Sequence, residues 1–261
     1  MNQAERRTFL IRQLLDEQPR YRAIPIPEDS REQRQLLRSL MNVRLPAPVD
    51  DALLQVQDDY LQEETRRKGI TDLETLDPVA PGLYLWRGDI TTLRCDAIVN
   101  AANSGMTGCY QPCHACIDNC IHTFAGIQLR AACADIMKKQ GREEPTGQAK
   151  ITKAFNLPCD YVIHTVGPIV RGKVTELDCS LLSSCYKSCL DIAQKNGVES
   201  IAFCCISTGV FCFPQEKAAE IAVATTREWK EKTKSAIKVV FNVFGQKDEA
   251  IYKRLLENFS R

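Results

Sequence analysis

The chain lacks a charge imbalance, a long apolar run, an internal repeat and any low-complexity tract, and each absence removes a class of function. Its 261 residues carry a formal net charge of +1, so no global field draws it to nucleic acid or to an anionic membrane. No Lys/Arg stripe with interleaved aromatics supplies a local one. An anionic ligand must then be held by backbone amides and local dipoles. No apolar run approaches the roughly 20 residues that span a bilayer. The opening MNQAERRTFLIRQLLDEQ is charged and amphipathic rather than a signal peptide. The expected setting is a reducing cytoplasm, with neither a membrane nor a nucleic acid as partner.

Cysteine, by contrast, is abundant. There are 13, an odd number at irregular spacing, which does not describe a disulfide framework. Cys133, Cys185, Cys189, Cys204 and Cys205 sit in apolar runs and read as small core residues. The stretch GCYQPCHACIDNCIHTFAGIQLR is different: Cys109, His114 and Cys116 fall within eight residues, directly before a helix-like segment. Two thiolates and one imidazole with a coordination position left over are the ligand count of a catalytic zinc site. Cys113 and Cys120 are close enough in sequence to supply a fourth ligand, which would make the site a closed structural clamp, and buried free thiols are the simplest alternative.

The chain changes character at DPVAPG, residues 77–82. Before it, amphipathic segments at about 4–17, 30–42 and 49–68 are broken by PIPEDS and RLPAPVDD, whose prolines and acids suit helix starts. Residues 1–77 thus read as a helical extension, with the main domain over 78–261. In that domain apolar, β-branched runs alternate with helical periods. Strands are expected at Leu83–Trp86, Ala97–Asn100, Ala149–Phe155, Tyr161–Val166, Ser200–Ile206 and Ile237–Val243. Helices are expected at about 117–140, 178–196, 214–232 and 248–259. Near-continuous apolar strands such as IAFCCI imply a sheet covered on both faces, hence an α/β class. Open α/β sheets bind ligands at the carboxyl ends of their strands. There the chain places GDIT (88–91), NAANSG (100–105), HTVGP (164–168) and STGVF (207–211), all small residues with hydroxyls and amides that let a main chain approach an anion.

GDIT, DAIVNAAN, CIHTFAGIQLR, the GQAKIT-to-HTVGP segment and ISTGVFCFP, in that order, resemble the macrodomain family of ADP-ribose-binding modules from about Leu83 onward. DAIVNAAN and IDNCIH are similar to the branch that hydrolyses mono-ADP-ribose from protein side chains. GCYQPCHAC is similar to its zinc-containing subgroup, as is the helical extension. The resemblance implies a three-layer α/β/α fold with a mixed, largely parallel sheet. It also implies one Zn2+ per chain on Cys109, His114 and Cys116, and as substrate a mono-ADP-ribosylated protein, linked through an Asp or Glu ester. By the same matching, Asp89 binds the adenine N6 beside the Ile90 backbone, unless it only caps a helix starting there. Phe244 flanks the adenine, with a core phenylalanine as rival. Ser207, Thr208, Gly209, Val210 and Phe211 wrap the diphosphate, Phe211 covering the distal ribose. Asn103 orients that ribose, and Asp118 aligns or deprotonates the attacking water, its other reading being an acid favoured by a helix dipole. Asn100 is expected to hold its own loop, and His122 and His164 to be structural. A non-catalytic reader of ADP-ribose is the alternative function; it would need Asp89 and the 207–211 loop but neither the metal nor Asp118.

Overall fold

A computed structural model of the chain describes residues 1–257. Three helices come first: α1 (Gln3–Asp16), α2 (Ser30–Val43) and α3 (Asp51–Lys68). Each starts on a side chain that accepts from the otherwise orphaned first amides. Asn2 forms a capping box with Glu5, Asp29 takes the amides of Arg31 and Glu32, and Asp50 takes those of Ala52 and Leu53. Leu10, Ile11, Leu14, Leu37, Leu40, Leu53 and Leu61 close a small apolar cluster between them, joined by Ile127 from the next unit.

The remainder runs β1 (Thr71–Asp72), β2 (Leu83–Arg87), β3 (Leu93–Arg94), β4 (Ala97–Ala102), α4 (Ile117–Ala125), α5 (Ile127–Gln140), β5 (Ala149–Lys153), β6 (Tyr161–Val166), α6 (Glu176–Lys195), β7 (Ser200–Phe203), α7 (Gln215–Thr233), β8 (Lys238–Val243) and α8 (Gln246–Glu257). Six strands form one sheet in the order β2-β8-β7-β4-β6-β5, parallel throughout except for β5, which runs antiparallel to β6. Helices α6, α7 and α8 pack together on one side, and α4 and α5, backed by α2 and α3, on the other. The central strands are consequently apolar on both faces: Ile98, Val99, Val162, Ile163, Ile201, Ala202, Val239 and Val240 are all fully buried. This is the three-layer α/β arrangement with a mixed, mostly parallel sheet, preceded by helices. Among the described residues no helix is long and apolar enough to cross a membrane.

Local departures from the sequence reading have local causes. The helix expected over 117–140 is two helices, because Gly126 adopts φ +98 between α4 and α5. A Cβ there would stand 2.6 Å from Gln128 Oε1 and 2.7 Å from Gln57 Nε2, two atoms that hydrogen-bond each other across the junction with α3. Gly126→Ala should therefore cost about 1–3 kcal/mol of stability, read as a lowered denaturant midpoint at unchanged slope. Strand β7 stops at Phe203 instead of Ile206, since Ser207 turns to φ +66 and Thr208 reaches back to the Cys205 carbonyl. Strand β5 stops at Lys153, before Phe155 at φ +54. The small parallel pair β1 and β3 was not expected; two residues each are too few to show a period. Of the last expected helix, 248–259, residues 258 and 259 lie outside the described residues.

Candidate active site

Because β2, β8, β7, β4 and β6 are parallel, their carboxyl ends share one edge, and the loops leaving that edge carry all the residues expected to bind. After β2, Asp89 Oδ1 accepts from the Thr91 amide at 3.0 Å and the Thr91 hydroxyl at 2.6 Å, capping the short 3-10 helix Ile90–Thr92. Its Oδ2 accepts from Lys68 at the end of α3, at 3.1 Å. Burial alone would raise this carboxyl, but the bonds from Thr91 and Lys68 outweigh it and hold the pKa below the usual range. The capping role weighed against Asp89 is thus present, with one oxygen turned to a cation. The Ile90 side chain is core. Phe244, following β8, is 83% exposed, which removes the reading of it as a core residue.

After β7 the chain passes through two left-handed residues, Ser207 (φ +66) and Cys212 (φ +58), an outlier pattern for residues with a Cβ and one that clusters at ligand sites. Phe213 donates its amide back to the Ser207 carbonyl and Cys212 to Gly209, so the segment between curls outward. Gly209 and Val210 are exposed and Phe211 half-buried. Among the described residues none accepts from the amides of Gly209, Val210 or Phe211, which leaves a row of donors suited to an anion. Gly167 underlies the loop: a Cβ on it would meet Ser207 Oγ at 2.1 Å.

The loop from β4 to α4 and the first turn of α4 carry the rest. Asn103 donates Nδ2 to the Gly108 carbonyl at 3.1 Å and to Asp118 Oδ2 at 3.2 Å, while its Oδ1 accepts from the Gly105 amide. Asp118 is 5% exposed, and its Oδ1 accepts from Asn100 at 2.8 Å. Burial pushes its pKa up to about 6, against the bonds from Asn100 and Asn103 and the field of Arg130. Asn100 does not hold its own loop, as expected from sequence; it is fully buried in β4 and bridges Asp118 to His164 Nδ1. His164 Nε2 lies 3.0 Å from Thr152 Oγ1, so this histidine is a satisfied core residue. His122 is also buried, one helical turn from Asp118, with burial holding it far below the usual histidine range and hence neutral.

Among the described residues, two clusters bring three ligand atoms within 4.8 Å of one another: Cys109, His114 and Cys116, and the buried His122, Cys133 and His164. Either could bind a metal. In the buried set, Asn100 donating to Nδ1 leaves the proton of His164 on Nε2, the nitrogen that faces Cys133. In the loop set Cys109 Sγ is 3.6 Å from His114 Nδ1, and Cys116 Sγ caps α4 by accepting the Asn119 amide at 3.4 Å, so an ion bound there would displace the thiol protons. As a bare thiol Cys116 is pushed up to about 12, first by burial, then by the neighbouring Cys109 and Asp118; a bound cation inverts that field. The fourth-ligand candidates are engaged elsewhere: Cys113 Sγ with Ser39 Oγ and the Gln35 carbonyl, Cys120 Sγ with Arg38. None of the cysteines is in a disulfide, and Cys133, Cys185, Cys189 and Cys204 are core residues.

Residues not anticipated complete the site. Asn119, fully buried, donates to the Gln111 carbonyl, and Arg130 stacks its guanidinium 4.2 Å over the Tyr110 ring. The Macro domain signature matches residues 99–222. A protein-ADP-ribose hydrolase of Treponema medium is 65% identical over 98% of this chain and all of its own length. One of Staphylococcus aureus (strain MRSA252) is 49% identical over 97% of this chain and 94% of its own. The crystal structure of a Trypanosoma brucei macrodomain in complex with ADP-ribose superposes with a TM-score of 0.64 at 32% identity, covering 84% of this chain and 94% of that one. With that likeness along nearly its whole length, and its small-residue loops gathered at one sheet edge, the chain belongs to the macrodomain family, among the protein-ADP-ribose hydrolases.

Proposed function

We propose that the chain hydrolyses mono-ADP-ribose from Asp and Glu side chains of modified proteins, with one Zn2+ held by Cys109, His114 and Cys116. The observation that carries this reading is that a single loop, between β4 and α4, bears the Cys/His/Cys donor set and Asn103, and that Asn103 is hydrogen-bonded to Asp118 in the first turn of α4. The donor set fits the ion by chemistry, two thiolates and an imidazole, and by count, three ligands with one position open. When bound there, the ion supplies Lewis acidity at that open position.

The chain's own residues do the rest. Asp89 takes the adenine amine, Phe244 covers the ring, and the amides of Gly209 to Phe211 hold the diphosphate, with Ser207 and Thr208 shaping that turn and Phe211 over the distal ribose. Asn103 retains a lone pair on Oδ1 and turns it to a ribose hydroxyl, fixing the anomeric carbon over the loop. Asp118, itself fixed by Asn100 and Asn103, accepts a proton of the attacking water. The C–O bond to the carboxylate breaks through an oxocarbenium-like state, and a carboxylate leaves without acid help. A reader of ADP-ribose has no use for Asp118 so held.

The test is release of ADP-ribose from aspartate-, serine- and arginine-modified protein, side by side. Release from the acidic linkage is expected; binding without release from any of them overturns the hydrolase reading, and release from serine or arginine alone overturns the linkage. For the adenine contact, Asp89→Asn keeps an acceptor for the Thr91 cap but loses the charge. It should weaken ADP-ribose binding by about 1.5–3 kcal/mol in calorimetry, whereas an unchanged dissociation constant would make Asp89 a cap alone.

A further inference from the structure

Part of the polar face of α2 is turned onto a loop and not to solvent: Arg38 and Ser39 are half-buried and Asn42 is buried. Gln35, Arg38, Ser39 and Asn42 recur at i, i+3, i+4 and i+7 and therefore share one face, while Leu37, Leu40 and Met41 turn to the apolar cluster of the first three helices. All four of the polar residues touch the segment that carries the Cys/His/Cys set. Arg38 Nη2 donates to the His114 carbonyl at 2.8 Å and to Asn119 Oδ1 at 2.8 Å, its Nε reaching the same Asn119 oxygen at 3.3 Å. Asn42, 1% exposed, accepts the Cys113 amide at 2.9 Å and donates to Thr123 in α4. Ser39 and the Gln35 carbonyl hold the Cys113 thiol.

The C-terminal end of α2 acts on the same loop through Arg130. The unpaired carbonyls of a helix end need donors. Those of Asn42 and of Arg44 just beyond receive Arg130 Nη1 at 2.6 Å each, and Arg130 Nη2 reaches the Cys109 carbonyl at 3.4 Å. The backbone carbonyls of two of the three donors, Cys109 and His114, thus accept from guanidinium groups seated on α2. Cys113 between them is in the left-handed region at φ +52, a conformation that needs outside bonds to persist.

We propose that Arg38 and Asn42 of α2 are positioning residues for the metal loop, so that the N-terminal helices form part of the zinc site and are not an appendage. This rests on the reading of Cys109, His114 and Cys116 as zinc ligands. A loop held in its ligating conformation before the ion arrives loses less conformational freedom on binding, and removal of such outer supports typically lowers metal affinity about 10- to 100-fold. A lysine in place of Arg38 presents one point donor where a planar fork now serves two acceptors, so charge alone does not restore the support.

The experiment measures zinc affinity of the full-length chain by chelator competition, and the absorption of the Co2+-substituted protein, for wild type, Arg38→Ala, Arg38→Lys, Asn42→Ala and Arg6→Ala. Arg6 pairs with Asp59 between α1 and α3 and touches nothing in the loop, so its variant reports any general loosening of the helices. Expected are a roughly 10- to 100-fold loss in Arg38→Ala, a smaller but clear loss in Arg38→Lys and Asn42→Ala, altered cobalt bands in all three, and wild-type behaviour in Arg6→Ala. Wild-type affinity in Arg38→Lys and Asn42→Ala overturns the proposal even if Arg38→Ala fails to fold. Equal losses in Arg6→Ala overturn it as well, since the effect would then be the folding of the helices. A wild-type protein that binds neither zinc nor cobalt refutes instead the assignment of the ligands on which the proposal depends.

Discussion

Asn103→Ala should lower the release of ADP-ribose from an aspartate-modified protein about 100-fold, or about 2.7 kcal/mol of transition-state stabilisation, while the affinity for free ADP-ribose changes far less. The asymmetry follows from where the side chain acts. In the proposed complex the adenine and diphosphate are held by loops after β2, β8 and β7, and of the ligand Asn103 addresses only the reacting sugar. The sheet has little stake in it, because β4 ends at Ala102 and the bonds of Asn103 to Gly105 and Gly108 stay within the loop beyond. Single-turnover release beside calorimetry separates the two effects. If binding and release fall together, Asn103 shapes the pocket and does not orient the ribose. Asp118→Asn sharpens the point, since it keeps the shape of the side chain and one acceptor oxygen, enough for Asn100 or Asn103 but not both, and cannot take a proton from water; near-normal turnover in that variant would remove Asp118 from the chemistry.

Loss of the metal ligands should be as severe. Wild-type protein is expected to hold about one equivalent of tightly bound zinc, and Cys109→Ala, His114→Ala and Cys116→Ala each to hold almost none, with release again down ~100-fold or more. Chelation should reproduce the loss and added zinc should reverse it. Cys116 needs a second variant, because its sulfur also caps α4. Cys116→Ser keeps an acceptor for the Asn119 amide and removes the thiolate, so a Ser variant that folds normally but carries no zinc assigns the sulfur to the metal. Elemental analysis decides: zinc unchanged in Cys109→Ala and Cys116→Ala sinks the assignment, and zinc lost only in Cys113→Ala would require that thiol to leave Ser39 and Gln35.

What the sequence by itself determined is what depends on period and on order along the chain. The α/β class followed from runs such as KVVFNV, apolar without alternation because both faces of β8 are covered. The starts of α2 and α3 followed from PIPEDS and RLPAPVDD, whose Asp29 and Asp50 can satisfy amides only a few residues away. The closeness of Cys109, His114 and Cys116 was legible for the same reason, since eight residues leave the chain little room to separate them. Tertiary structure decided everything that depends on contacts between distant segments. Asn100 looked like a loop residue until β4 placed it between Asp118 and His164, and nothing along the chain signals that α3 brings Lys68 to the second oxygen of Asp89. Cys113 and Cys120 remained candidate ligands until α2 took their thiols. The polar stripe of α2 reads in sequence as a solvated helix face, because periodicity reports which residues share a face and not what that face meets. Only the packing of α2 on α4, about 80 residues apart in the chain, turns Arg38 and Asn42 toward the loop.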